Sequence, residues 1–227
     1  MNKVDVDSDG LERHMGVNHF GHFILVNRLL PLMRSTSYLN TFPAPRIVML
    51  SSELHRTAPS DVSFSTPEEL TFEYSNKYGP NQIYSRAKLA NLLFVKYGLA
   101  ERVLGPNEDR ILASAVHPGA VATEQQEQFK EGYGKLVGGI MKTLVTPFMR
   151  DAEQGSYTAL YAATSSDLEK NGWQGKYYTD PAKVGGESNQ ACDEKIGANL
   201  WNLSNKVVKE KLGEDGLLPW NAGKKTG

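Results

Sequence analysis

The sequence predicts an α/β domain built on a parallel sheet with helices on its faces. Two short apolar runs predict the strands, Arg46 to Leu50 (RIVML) and Ile111 to Val116 (ILASAV). The first is rich in β-formers, and both read as strands buried on both faces. Between and around them lie longer stretches with apolar residues at helical spacing. Helix and strand therefore alternate along the chain, and that order requires crossover connections and a parallel sheet.

The bulk properties fit this class. A chain of 227 residues suggests one domain, or one and a half at most. With 40% hydrophobic and 22% charged residues it can bury a sizeable core. A formal net charge of -1 gives no electrostatic reason to bind nucleic acid or an anionic membrane. The single cysteine, Cys192, rules out an intramolecular disulfide and favours a reducing, cytoplasmic setting. Met1 to Gly10 is polar and acidic, unlike a signal peptide. The most apolar stretch, Phe20 to Met33, contains His22, Asn27 and Arg28 and is too short and polar to span a bilayer. No metal site is expected.

Asp9-Gly10 reads as a helix entry. Leu11 to Arg34 follows, with Met15, Phe20, Phe23, Ile24, Leu29, Leu30 and Met33 at helical spacing. Tyr38 to Pro45 is a loop, and Arg46 to Leu50 the first strand, with Ser51 and Ser52 at its C-terminal end. Glu53 to Gln82 is a polar excursion broken by Pro59, Pro67 and Pro80, the kind of long loop that usually carries function. Ile83 to Val103 is a strong helix. Ile111 to Val116 is the second strand, ended by His117-Pro118-Gly119. Glu124 to Leu144 reads as helix with a glycine-rich patch at Gly132 to Gly139, and Asp151 to Ser165 as another helix. Gly175 to Thr179 is a third strand, and Asn189 to Leu212 a closing helix. The domain is expected to span 1–213, with 214–227 a flexible tail.

Ligands of such sheets bind beyond the carboxyl ends of the strands. Ser52 and the segment 117–123 fall there. Tyr84 and Lys88 stand four apart on a helix and so project from one face. A phenol with a pKa near 10 is a poor base at neutral pH, and a neighbouring ammonium lowers that value. Tyr84 could then exchange a proton with an alcohol oxygen. A surface Tyr/Lys pair at this spacing also arises by chance. The Ser52 hydroxyl could polarise a substrate oxygen, or serve only as a turn residue. Asn18, flanked by Gly16 and Gly21, sits where a weakened helix could free a backbone carbonyl. Gly119 allows close approach to the backbone, and Thr123 could bond a carboxamide.

Taken together, GVNHFGHF, RIVMLSS, YSRAK and HPGAVAT in this order resemble the short-chain dehydrogenase/reductase family. The DGLERHMGVNHFGHF opening, HPGAVATE and GKYYTD are similar to its retinol-dehydrogenase-like branch. The resemblance runs from about Asp9 to about Gly213. It implies the C-terminal part of a Rossmann-like doubly wound parallel sheet with flanking helices. It further implies hydride transfer between an alcohol and a carbonyl with NADP or NAD, on a small and lipophilic substrate. The implied tetrad is Asn18, Ser52, Tyr84 and Lys88. Tyr84 would be the acid/base, and Ser52 would orient the substrate oxygen. Lys88 would lower the tyrosine pKa and bond the nicotinamide ribose, and Asn18 would hold a relay water. With Tyr84 and Lys88, the positions Pro118, Gly119, Val121 and Thr123 would contact the nicotinamide end. A homodimer through the tyrosine helix and its neighbour is a further implication.

The family's opening strand and glycine-rich pyrophosphate turn have no counterpart in this sequence. The chain is therefore expected to be the later part of a longer product, with the RIVML edge open and dinucleotide affinity reduced. The competing reading is a non-catalytic fragment or binding module that retains the tetrad.

Overall fold

A computed structural model of the chain describes residues 4–39, 43–119, 121 and 150–224. Four strands form one sheet in the order β1-β2-β3-β4. Strands β1 (Arg46–Leu50) and β2 (Leu112–Val116) run parallel, with Arg46 opposite Leu112 and Leu50 opposite Val116. Strand β3 (Lys176–Asp180) continues parallel, with Ser114 opposite Lys176. Strand β4 (Lys183–Val184) turns back antiparallel, with Tyr178 opposite Val184.

The first helical stretch comprises α1 (Arg13–Met15), a π-helical turn over Gly16–Phe20, and α2 (Gly21–Ser37). After β1 a 3-10 turn covers Glu53–Thr57, followed by a second over Pro67–Leu70 and the short α3 (Phe72–Ser75). Helix α4 (Pro80–Leu93) opens with Pro80 in its first turn and continues as a π-helical segment, Phe94–Leu104. Then come α5 (Ala152–Thr164), α6 (Asp167–Lys170) and α7 (Glu194–Leu212), with a short 3-10 turn over Gln190–Cys192 before the last.

Alternation along the strands divides the interior into two layers. Ile47, Met49, Ala113, Ala115 and Tyr177 join the large core beneath α2, α4 and α7. Val116, Tyr178, Val48 and Leu112 join a smaller cluster with Ala162 and Leu168 on the opposite face. Helices thus cover both faces, which explains why RIVML and ILASAV show no polar alternation. Ala87 and Ala90 are fully buried and let α4 lie close to the sheet.

The expected elements that lie among the described residues fall within a few residues of those observed, with three differences. The closing helix starts at Glu194, capped by the Asp193 carboxylate, rather than at Asn189. The strand β4 went unread because two residues carry no period. The predicted helix Glu124 to Leu144, its glycine patch and Thr123 lie outside the described residues. Finally, residues 214–224, expected to fray, are docked. Leu217 is buried, Trp220 packs edge-on against Phe23, and Arg34 donates to the carbonyls of Trp220 and Ala222 at 2.9 and 2.6 Å. Among the described residues β1 is an edge strand, with Leu50 51% exposed.

Candidate active site

Ser52 stands two residues beyond β1 in extended backbone and caps the 3-10 turn, its Oγ accepting from the Leu54 N–H at 3.2 Å. That bond occupies an acceptor position of the hydroxyl and leaves its proton to point elsewhere. The Ser52 carbonyl takes the Nδ1–H of His55 at 2.6 Å, and Nε2 of that ring accepts from Ser188 N–H at 3.1 Å. Neutral His55, whose pKa burial pushes down, therefore fixes the serine's backbone to the loop after β4.

Tyr84 lies one turn into α4 and is half-buried. Burial holds its phenol above the ordinary tyrosine value, and a hydrogen bond with Ser52 works in the opposite direction. The Lys88 ammonium sits 5.5 Å from the centre of the Tyr84 ring and donates to the Leu50 carbonyl at 3.0 Å. Burial alone pushes the Lys88 pKa down. The lowering of the tyrosine pKa expected from the lysine is thus not met in this state. The ammonium is engaged by the strand carbonyl, and desolvation of the phenol outweighs what Ser52 offers.

Asn18 lies in the π turn, so the distortion expected from Gly16 and Gly21 is present. Its side-chain NH2 donates to His14 O at 3.1 Å, and its backbone carbonyl faces His22 Nδ1 at 3.0 Å. Contact with the tyrosine helix runs through His14, whose ring meets that of Tyr84 edge-on at 6.4 Å. His14 is held in turn by the fully buried Glu12 at 2.7 Å, and Glu12 also pairs with Arg86 at 3.2 Å.

At the end of β2, His117 N–H donates to Tyr178 O at 2.8 Å, and burial pushes the imidazole pKa down. Gly119 has φ +86, which a side chain would resist. Its close neighbour is Arg150, whose Cδ would stand 2.7 Å from an added Cβ. Arg150 also donates to Pro118 O at 3.3 Å and bonds Asp180. Val121 bridges Arg150 and packs against Gly155. Ser52, Tyr84 and Lys88 are thus brought together at the tip of β1, Asn18 joins through His14, and Pro118 and Gly119 end the adjoining strand.

No family model matches the chain. Retinol dehydrogenase 14 of Homo sapiens is 34% identical over 200 residues, 88% of this chain and 53% of that protein. A short chain dehydrogenase/reductase, dpchH, of Colletotrichum higginsianum is 29% identical over 210 residues, 89% of this chain and 50% of its own. The chain is a homologue of short-chain dehydrogenases/reductases. Another such dehydrogenase, the chloroplastic TIC 32 B of Brassica napus, is 33% identical over 206 residues, 89% of this chain and 59% of its own. A crystal structure of an uncharacterized protein from Mycobacterium Paratuberculosis superposes with a TM-score of 0.60 at 27% identity, covering 90% of this chain and 62% of that one. The chain spans about half the length of the curated dehydrogenase relatives it matches. None of its described helices is long and apolar enough to cross a membrane.

Around this dehydrogenase/reductase homologue's centre, sequence reasoning missed Glu12, His55, Arg86 and Asn91. The signal for Arg86 is a cation amid the Ala and Leu of α4. Glu12 joins its neighbour His14 to Arg86 of α4, and the partners of His55 are the Ser52 carbonyl and the Ser188 N–H, the long-range ones being pairs that no spacing encodes.

Proposed function

We propose that this chain carries the acid–base half of an NAD(P)-dependent oxidoreductase that interconverts an alcohol and a carbonyl, on a lipophilic substrate. The observation that carries the reading is the Lys88 ammonium 5.5 Å from the Tyr84 ring centre and bonded to the strand-end Leu50 carbonyl, with Ser52 two residues further on.

A phenol held above its ordinary pKa is protonated at neutral pH. That state suits the reductive direction, in which Tyr84 gives its proton to the carbonyl oxygen. Ser52, its lone pair engaged by Leu54 N–H, directs its proton to the same oxygen and steadies the developing charge. In the oxidative direction the phenolate must form, and Lys88 is the group at hand to favour it. A bound nicotinamide would supply or take the hydride. The residues fit its ribose end: Lys88 is a buried donor with N–H groups beyond the one on Leu50. Tyr84, Lys88, Pro118, Gly119, Val121 and Thr123 are the proposed contacts.

The test is a fluorescence titration of the purified chain with NADPH and NADH. We expect saturable enhancement, weakened at least about tenfold in Lys88→Met by loss of a charged hydrogen bond. Absence of binding by either dinucleotide would assign this chain to the non-catalytic class.

A further inference from the structure

The end of β1 is held from two directions. From α4, Lys88 Nζ and Asn91 Nδ2 both end on the Leu50 carbonyl, each at 3.0 Å, and Ser51 Oγ donates to the Lys88 carbonyl at 2.8 Å. Those bonds fix residues 50 and 51. The backbone of Ser52 is held from the other side, by His55. The Ser52 carbonyl accepts the His55 backbone N–H at 3.1 Å and its Nδ1–H at 2.6 Å. The far nitrogen of the ring, Nε2, accepts from Ser188 N–H at 3.1 Å.

A carbonyl only accepts and a backbone N–H only donates. The two partners therefore fix one form of the ring, neutral, with its hydrogen on Nδ1 and a bare Nε2. The other tautomer would set N–H against N–H and lone pair against lone pair, and an imidazolium would lose the Ser188 bond. The ring is fully buried and meets Tyr177 edge-on at 5.4 Å. Ser188 is itself anchored. Its Oγ accepts from Ala191 N–H at 3.3 Å and its carbonyl from Cys192 N–H at 3.1 Å, at the 3-10 turn that leads into α7. Gln190 of that turn donates to the Pro59 carbonyl at 2.8 Å.

We infer that His55 is a positioning residue for Ser52: a neutral imidazole that ties the serine backbone to the entry of α7 and so sets where the Ser52 hydroxyl stands. This rests on the role proposed above for Ser52.

The test is amide hydrogen exchange of the full chain, read by NMR at Ser188 and at Leu54, whose N–H the Ser52 hydroxyl oxygen accepts. His55→Phe keeps a ring against Tyr177 and removes both nitrogens. It should speed exchange at Ser188 and, through the released serine, at Leu54, each by about fivefold or more. In a Ser52→Ala background the same substitution should leave Leu54 exchange where Ser52→Ala alone puts it. Further acceleration there would mark a general loosening of the turn and overturns the inference. A histidine that only packs on Tyr177 would leave Leu54 unchanged in His55→Phe, and that result overturns it too. If His55→Phe does not fold, His55→Asn decides. It keeps a donor near the Nδ1 position but cannot reach Ser188, so Leu54 should again exchange faster, and unchanged protection overturns the inference. Exchange needs no turnover, so the inference and the oxidoreductase reading fail separately.

Discussion

At the scale of single residues, the site depends on groups whose hydrogen-bonding capacity is divided between structure and chemistry. Ser52 caps a turn with its lone pair and keeps its hydroxyl proton to donate elsewhere. Ser52→Ala should therefore cut turnover by about a hundredfold or more, the usual loss when one preorganised donor is removed. Steady-state rates with a lipophilic aldehyde check it. His19 shows the reverse case, a histidine that serves the core. It is fully buried, bonds Ser204 at 2.7 Å, and burial pushes its pKa from 6.5 to about 3. Unfolded, the imidazole takes a proton as pH drops below about 6.5, and folded it does not. Its contribution to stability is thus fully present above that value and is lost as pH falls toward 3. Urea denaturation across pH 7 to about 4 should show stability declining, with a flatter decline in His19→Gln. Tyr84 and Lys88 were legible because their spacing is local. His55 and Asn91 were not, since each acts through backbone atoms brought near only by folding.

At the scale of elements, periodicity revealed the helices and the buried strands, and close contact decided the rest. Helix α7 crosses the π-helical segment at Gly197, where an added Cβ would stand 2.3 Å from Tyr97 Cδ2. Only glycine fits that approach. Gly197→Ala should destabilise the fold by about 1–3 kcal/mol, as overpacking does, read as a lower urea midpoint at unchanged slope. The sequence showed a glycine in a helical run but nothing of the tyrosine ring it accommodates. The π turn at Gly16–Phe20 was foreseeable from its flanking glycines, whereas the two residues of β4 were too few to show a pattern.

At the scale of the whole molecule, the two ends of the described chain are tied together. Arg34, fully buried, holds Asp109 through Nε and Nη2 at 2.9 and 2.6 Å while bonding the carbonyls of Trp220 and Ala222. Composition made 214–224 look frayed because the arginine that anchors it stands more than a hundred residues earlier. Asp109→Ala leaves a buried guanidinium unpaired and should cost about 3–5 kcal/mol, measured by chemical denaturation. Truncation after Gly216 should destabilise too, by exposing the Phe23 and Trp201 rings that Trp220 covers.

The central claim, that the Tyr84 phenol moves the proton while a hydride passes elsewhere, is tested most directly by following nicotinamide absorbance during reduction of a lipophilic aldehyde. The account predicts that Tyr84→Phe, which removes one oxygen and keeps the ring packed against His14, lowers turnover at least about a hundredfold. Turnover within a few-fold of the unaltered chain would contradict it.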